Sequence, residues 1–166
     1  MASDGELWRV WRDAASRSGV GERLRGLLDQ IDQRVDQSGF ACRQSGRCCR
    51  FESFGHRLYM TGLEVAWFRS LAGPPQAKKS GGSVSLPVLD PGQGGCPYQV
   101  DGSCSVHRDR PFACRVFFCQ EGSDAWQVQR YEAFQQEVKR LHEANGLPYR
   151  YMEWRRGLAD AEAQGL

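Results

Sequence analysis

The chain has no apolar run approaching the ~20 residues needed to cross a bilayer. Its first residues, Met1-Ala2-Ser3-Asp4-Gly5-Glu6-Leu7-Trp8, lack a basic stretch followed by an apolar one, so no secretory signal is expected. No sign of charge dominates. The 166 residues carry a net charge of +2 and a pI near 8.2, short of the basic stripe that marks nucleic-acid binders. There is no internal repeat and no low-complexity segment. A Gly-rich phosphate loop, a nucleophile elbow and a His-Glu-x-x-His helix are all missing too. These absences predict no membrane span, no nucleic-acid partner and no familiar catalytic frame. The length suits one domain with a real core. The expected compartment is the cytoplasm, where thiols stay reduced.

Cysteine is also missing from most of the chain. All seven cysteines lie in two blocks. The first holds Cys42, Cys48 and Cys49, spaced Cys-x5-Cys-Cys. The second holds Cys96, Cys104, Cys114 and Cys119, spaced Cys-x7-Cys-x9-Cys-x4-Cys. Scattered cysteines read as small core residues. Clustered ones read as ligands, because a soft metal needs several thiolates converging on one point. The odd count and the adjacent pair Cys48-Cys49 argue against a full disulfide framework. The spacings fit neither a zinc ribbon of paired Cys-x2-Cys knuckles nor a ferredoxin. Arg43, Arg47, Arg50, Arg108, Arg110 and Arg115 lie beside or between the cysteines. Nearby cations favour thiolate; the alternative is a plain solvated face. His107 is a candidate eighth ligand, or an ordinary histidine.

Apolar periodicity predicts helices over about residues 5–37, interrupted at Gly19 and Gly21. Their stripes are Leu7, Val10, Trp11 and Ala14, then Leu24, Leu27, Leu28, Ile31 and Val35. Arg57 to Met60 reads as a short strand. Thr61-Gly62-Leu63-Glu64 has the form of a capping box, opening a helix with Leu63, Ala66, Trp67 and Leu71 on one face. Gly73-Pro74-Pro75 stops it. Residues 73–83 read as a mobile surface loop and Val84 to Leu89 as an edge strand. Asp101-Gly102 predicts a tight hairpin turn between Tyr98-Gln99-Val100 and Cys104-Ser105-Val106. Little other regular structure is expected between Cys96 and Cys119. A helix follows over about Ser123 to Glu143, with Tyr131, Phe134, Val138 and Leu141 on one face. The tail to Leu166 shows no decisive pattern.

The cysteine blocks resemble the YkgJ-type cysteine-cluster proteins, also described as a zinc- or iron-chelating domain or as flagellin N-methylase-like. That family's first motif is Cys-x2-Cys-x2-Cys-Cys. Here it reads Cys42-Arg43-Gln44-Ser45-Gly46-Arg47-Cys48-Cys49, with Ser45 at the second cysteine position. The second block matches in order with Cys96-Pro97, Cys104, Arg110-Pro111, Cys114-Arg115 and Cys119. The resemblance spans about residues 39–120 and implies a cysteine-ligated zinc or iron centre, including a 4Fe-4S cluster among its options. Methylation is not carried over, since nothing here resembles a methyl-donor pocket.

The sequence thus predicts a small single α+β domain. Helical segments 1–38 and 123–166 pack around an irregular, metal-stapled centre at 39–122 that carries a short β-hairpin. Three functions stay open: a metal-binding module, an iron–sulfur or iron-dependent enzyme or redox protein, and a thiol–disulfide switch.

Overall fold

A computed structural model describes residues 3–75, 79–80, 83–84, 95–117 and 119–166. The first helix, α1 (Asp4–Ser16), starts with a capping box. Ser3 Oγ accepts from the Glu6 N–H, and the Glu6 carboxylate accepts from the Ser3 N–H at 2.7 Å. Arg17 then turns extended, and α2 (Ser18–Ser38) runs on until Gly39 takes the left-handed conformation at φ +77°. The break falls at Arg17, before the predicted Gly19 and Gly21, which sit inside the first turns of α2. The buried face of α1 is also shifted from the predicted stripe. Trp8, Trp11, Ala14 and Ala15 are buried, while Val10 is 41% exposed. Two overlapping stripes were open to this helix, and the one carrying both indoles wins because it removes most apolar area from water. Leu24, Leu28 and Ile31 are buried as expected.

After a 3₁₀ turn at Arg47–Cys49 come the single-turn α3 (Phe51–Phe54) and strand β1 (Tyr59–Thr61). Thr61 caps α4 (Gly62–Ala72) through the predicted box, in which the Glu64 carboxylate accepts from the Thr61 N–H at 2.9 Å. From Gly62 to Arg69 every residue of α4 is buried, so this is a central helix rather than an amphipathic surface one. Only past that stretch does it surface, leaving the predicted core residue Leu71 45% exposed.

Lys79–Ser80 (β2) pairs antiparallel with Ser83–Val84 (β3), where loop was expected up to residue 83 and an edge strand from Val84. Most of the predicted edge strand, residues 85–89, lies outside the described residues. Gln99–Val100 (β4) pairs with Ser103–Cys104 (β5) in the predicted hairpin, with the second strand starting at Ser103 and ending at Cys104 rather than running from Cys104 to Val106. Asp101 and Gly102 both take positive φ, +47° and +80°, the combination a tight I′-type turn requires. A second 3₁₀ turn, His107–Asp109, and a short helix α5 (Phe112–Val116) occupy a stretch expected to lack regular structure.

Helix α6 (Asp124–Ala144) buries Phe134, Val138 and Leu141, with Tyr131 half-buried. The tail then supplies two elements that periodicity did not reveal. Strand β6 (Tyr151–Glu153) pairs antiparallel with β1, Met60 opposite Met152, and Glu153 caps α7 (Trp154–Ala163). The fold is a small single α+β domain. Helices α1 and α7 pack on α4, and α2 packs on α5 and α6. Among the described residues, no helix is long and apolar enough to cross a membrane.

Candidate metal centre

The first cysteine block sits in a loop that curls at Gly46, where φ is +68°. A Cβ there would stand 2.0 Å from the Gly102 carbonyl oxygen, so only glycine lets this loop reach the β4–β5 turn. Gln99 fastens the same approach, its side-chain amide donating to the Gly46 carbonyl at 2.9 Å. The next join is backbone to backbone. The Cys96 N–H donates to the Cys49 carbonyl at 2.7 Å. A Cβ on Gly95 would fall 2.5 Å from that same oxygen. Two cysteine blocks almost fifty residues apart thus meet edge to edge.

Cys49 lies at the middle of the meeting. Its thiol, buried at 6% exposure, interacts with those of Cys104, Cys48 and Cys96, and these contacts hold it protonated far above its ordinary range. The neighbours move the other way. Hydrogen bonding to Cys49 lowers Cys104 to about 6, against the opposing effect of burial. The same cause lowers Cys48 to about 7, with help from the Arg110 charge. Cys96 is also lowered, first by Cys49 and then by the Trp154 indole, whose N–H donates to Cys96 Sγ at 3.4 Å. Burial and the neighbouring Cys96 raise Cys114 well above its ordinary value. The thiols of both blocks thus bear on one another's acidity. That is the charge arrangement a bound cation would replace.

The donor chemistry suits a soft ion. Cys48 Sγ and Cys49 Sγ are 4.0 Å apart, close to the roughly 3.8 Å edge of a tetrahedron built on 2.3 Å zinc–sulfur bonds. Among the described residues, however, no three Cys, His, Asp or Glu side chains stand in ready-made ion-holding geometry. The thiols converge and would have to close up on an ion. All seven are free.

Cys42 and Cys119 stand apart from this group. With Cys48 they line an open cleft of about 390 Å³. Cys119 is exposed and engages Ser45 by a side-chain hydrogen bond, which opposes the rise that desolvation gives its thiol. Ser45 is therefore in the cleft, not between the four converging sulfurs. His107 faces elsewhere, lining a different depression with Tyr98, Ser105 and Asp109. Desolvation lowers its pKa, helped by Arg110 and Arg115, and its Nε2 is buried without a partner among the described residues.

The six arginines divide by task. Arg110 reaches the sulfurs, donating to Cys42 Sγ at 3.6 Å and to the Cys114 carbonyl at 3.0 Å. Arg115 does not. It is 4% exposed, spans the Arg108 and Arg110 carbonyls and pairs with Asp32 on α2, so it shapes the loop between Cys104 and Cys114. Arg43 and Arg47 line the cleft. Arg108 lines a separate charged depression with Arg25, Asp29 and Asp32. Arg50 is exposed.

Trp154 is a site residue that sequence reasoning missed, and His56, a lesser ligand candidate than His107 by sequence, lies beside Cys48. Trp154 packs edge-on against Phe68 at 4.9 Å, and Tyr98 completes an aromatic wall behind Cys96. His56 stacks on Phe117 at 4.3 Å and places its Nε2 3.2 Å from the Cys48 carbonyl oxygen. The only signal for Trp154 was an indole in a tail without periodicity. Comparison with known protein families, curated proteins and solved structures finds no significant match to this chain.

Proposed function

We propose that this protein binds a soft metal, zinc or iron, at the four thiols of Cys48, Cys49, Cys96 and Cys104. Cys114 stands beside them, and Cys42 and Cys119 lie at the edge. The observation that carries this reading is the junction of the two blocks at Cys49, whose carbonyl accepts from the Cys96 N–H at 2.7 Å and whose Sγ stands 4.0 Å from that of Cys48. Zinc there would supply a closed thiolate staple; iron, alone or in a 4Fe-4S cluster, would supply electron transfer. The protein's own part is to hold the sulfurs. The Cys49–Cys96 backbone bond sets their register, Trp154 orients Cys96, and Arg110 offsets negative charge. The motif resemblance to the cysteine-cluster family supports the same reading, as do seven free thiols.

A second reading is an iron or iron–sulfur centre that acts on a substrate. It is favoured by Cys48, which belongs both to the converging thiols and to the open cleft. Anaerobic purification with metal, acid-labile sulfide and the visible spectrum measured together tests both. Zinc without colour supports the staple. Iron with sulfide and absorbance near ~400 nm supports the cluster. Protein that takes up neither metal under reducing conditions overturns the proposal.

A further inference from the structure

We infer that the cleft bounded by Cys42, Cys48 and Cys119 is a binding site for a small carboxylate-bearing molecule. Its volume of about 390 Å³ is in the range of small-molecule sites. Arg43 and Arg47 both line it, and neither forms an ion pair among the described residues. Arg47 is held with its guanidinium 5.4 Å from the Phe54 ring centroid, so its charge is positioned while remaining free to meet an anion. Arg110 stands behind Cys42 and adds positive potential. Glu121 is the acidic residue among those lining the cleft. It leaves an excess of one positive charge, which a singly charged carboxylate balances, and the two carboxylate oxygens match the guanidinium fork. Ala41 and Phe117 supply apolar wall for an organic body. The Ala41 N–H donates to Gln120 Oε1 at 3.3 Å, which joins the two sides of the cleft.

The inference stands without a metal at the thiol centre, and its test is independent of one. The folded protein is alkylated separately with iodoacetate, which carries the carboxylate, and with neutral iodoacetamide. Rates at Cys42 and Cys119 are read by peptide mass spectrometry. Both reagents consume the thiolate and release iodide, so their rate ratio cancels the acidity of the thiol. The iodoacetate-to-iodoacetamide ratio at Cys119 is expected to be about fivefold higher in the folded protein than in the urea-unfolded chain, the factor one unit charge supplies at ~4 Å in water. The double variant Arg43→Gln, Arg47→Gln should bring the folded ratio down to the unfolded one with metal content unchanged. Equal ratios in folded and unfolded wild-type protein would overturn the inference, and so would the absence of alkylation at both cysteines in the folded state. The folded-to-unfolded comparison needs no variant. A protein that binds no metal yet keeps the raised ratio would sink the proposed function alone.

Discussion

Cys49 is the side chain on which the centre turns, since it joins the two blocks, its carbonyl accepting from the Cys96 N–H and its sulfur 4.0 Å from that of Cys48. Cys49→Ser is expected to lose most bound metal, because serine is a poor ligand for soft ions. Cys119→Ser is expected to keep nearly all of it, its thiol being across the cleft. Metal per chain, measured after anaerobic desalting, separates the two; equal loss in both would place Cys119 in the same centre. Glu64 carries a second expectation. Burial raises its carboxyl to about 7 despite hydrogen bonds from Thr61. Between the unfolded value near 4.5 and that folded value, the native state holds a proton the unfolded chain has released. Stability contributed by this group therefore falls as pH rises through that window and is flat above it. The loss is on the order of 3 kcal/mol. Glu64→Gln keeps an acceptor for the Thr61 N–H and should remove that slope. Urea unfolding at pH 5 and pH 7.5 checks it, and an unchanged difference between the two pH values would dismiss Glu64 as the cause.

Two glycines set how elements meet. Gly62 opens α4 where a Cβ would stand 2.3 Å from the Trp11 ring, so α1 lies flat on α4 only if that Cβ is missing. Gly62→Ala is expected to cost about 1–3 kcal/mol by overpacking, read as a lower urea midpoint. Gly95→Ala should behave differently. Its Cβ would press on the Cys49 carbonyl at the junction of the two cysteine blocks, away from the α1–α4 core. Metal affinity should fall more than stability. A variant with normal metal content would show that the Cys49–Cys96 bond is not needed to align the sulfurs.

In the molecule as a whole, the N-terminal half, the middle and the tail are tied together by contacts between distant residues. Trp11 Nε1 donates to the Pro148 carbonyl at 2.8 Å, tying α1 to the tail. Arg155 on α7 pairs with Glu52 on α3 and lies over Phe51, 4.9 Å from the ring centroid. A metal held by both cysteine blocks would cross-link this arrangement, so its binding energy would be added to folding energy. Stripping it with a strong chelator is expected to lower the melting temperature by several degrees, about the size of a few kcal/mol in a domain of this length. A melting temperature indifferent to chelator would mean that no thiol-held metal contributes to stability.

Local pattern settled what local chemistry can settle. The helix at 124–144, the box at Thr61 and Glu64, the Asp101-Gly102 turn and the clustering of thiols all follow from residues within a few positions of each other. Contacts between distant residues were decided by the tertiary structure. Strand β6 was invisible in the tail because three residues carry too little alternation to signal a strand; it forms because β1 offers an edge. Which stripe of α1 faces inward was decided by packing on α4, where Gly62, some fifty residues away, leaves room for the Trp11 ring. Sequence spacing gave the seven cysteines equal standing. Folding divided them into converging thiols and cleft thiols, because the Cys49–Cys96 backbone bond and the Gly46–Gly102 approach bring one set of sulfurs together and leave Cys42 and Cys119 at the rim.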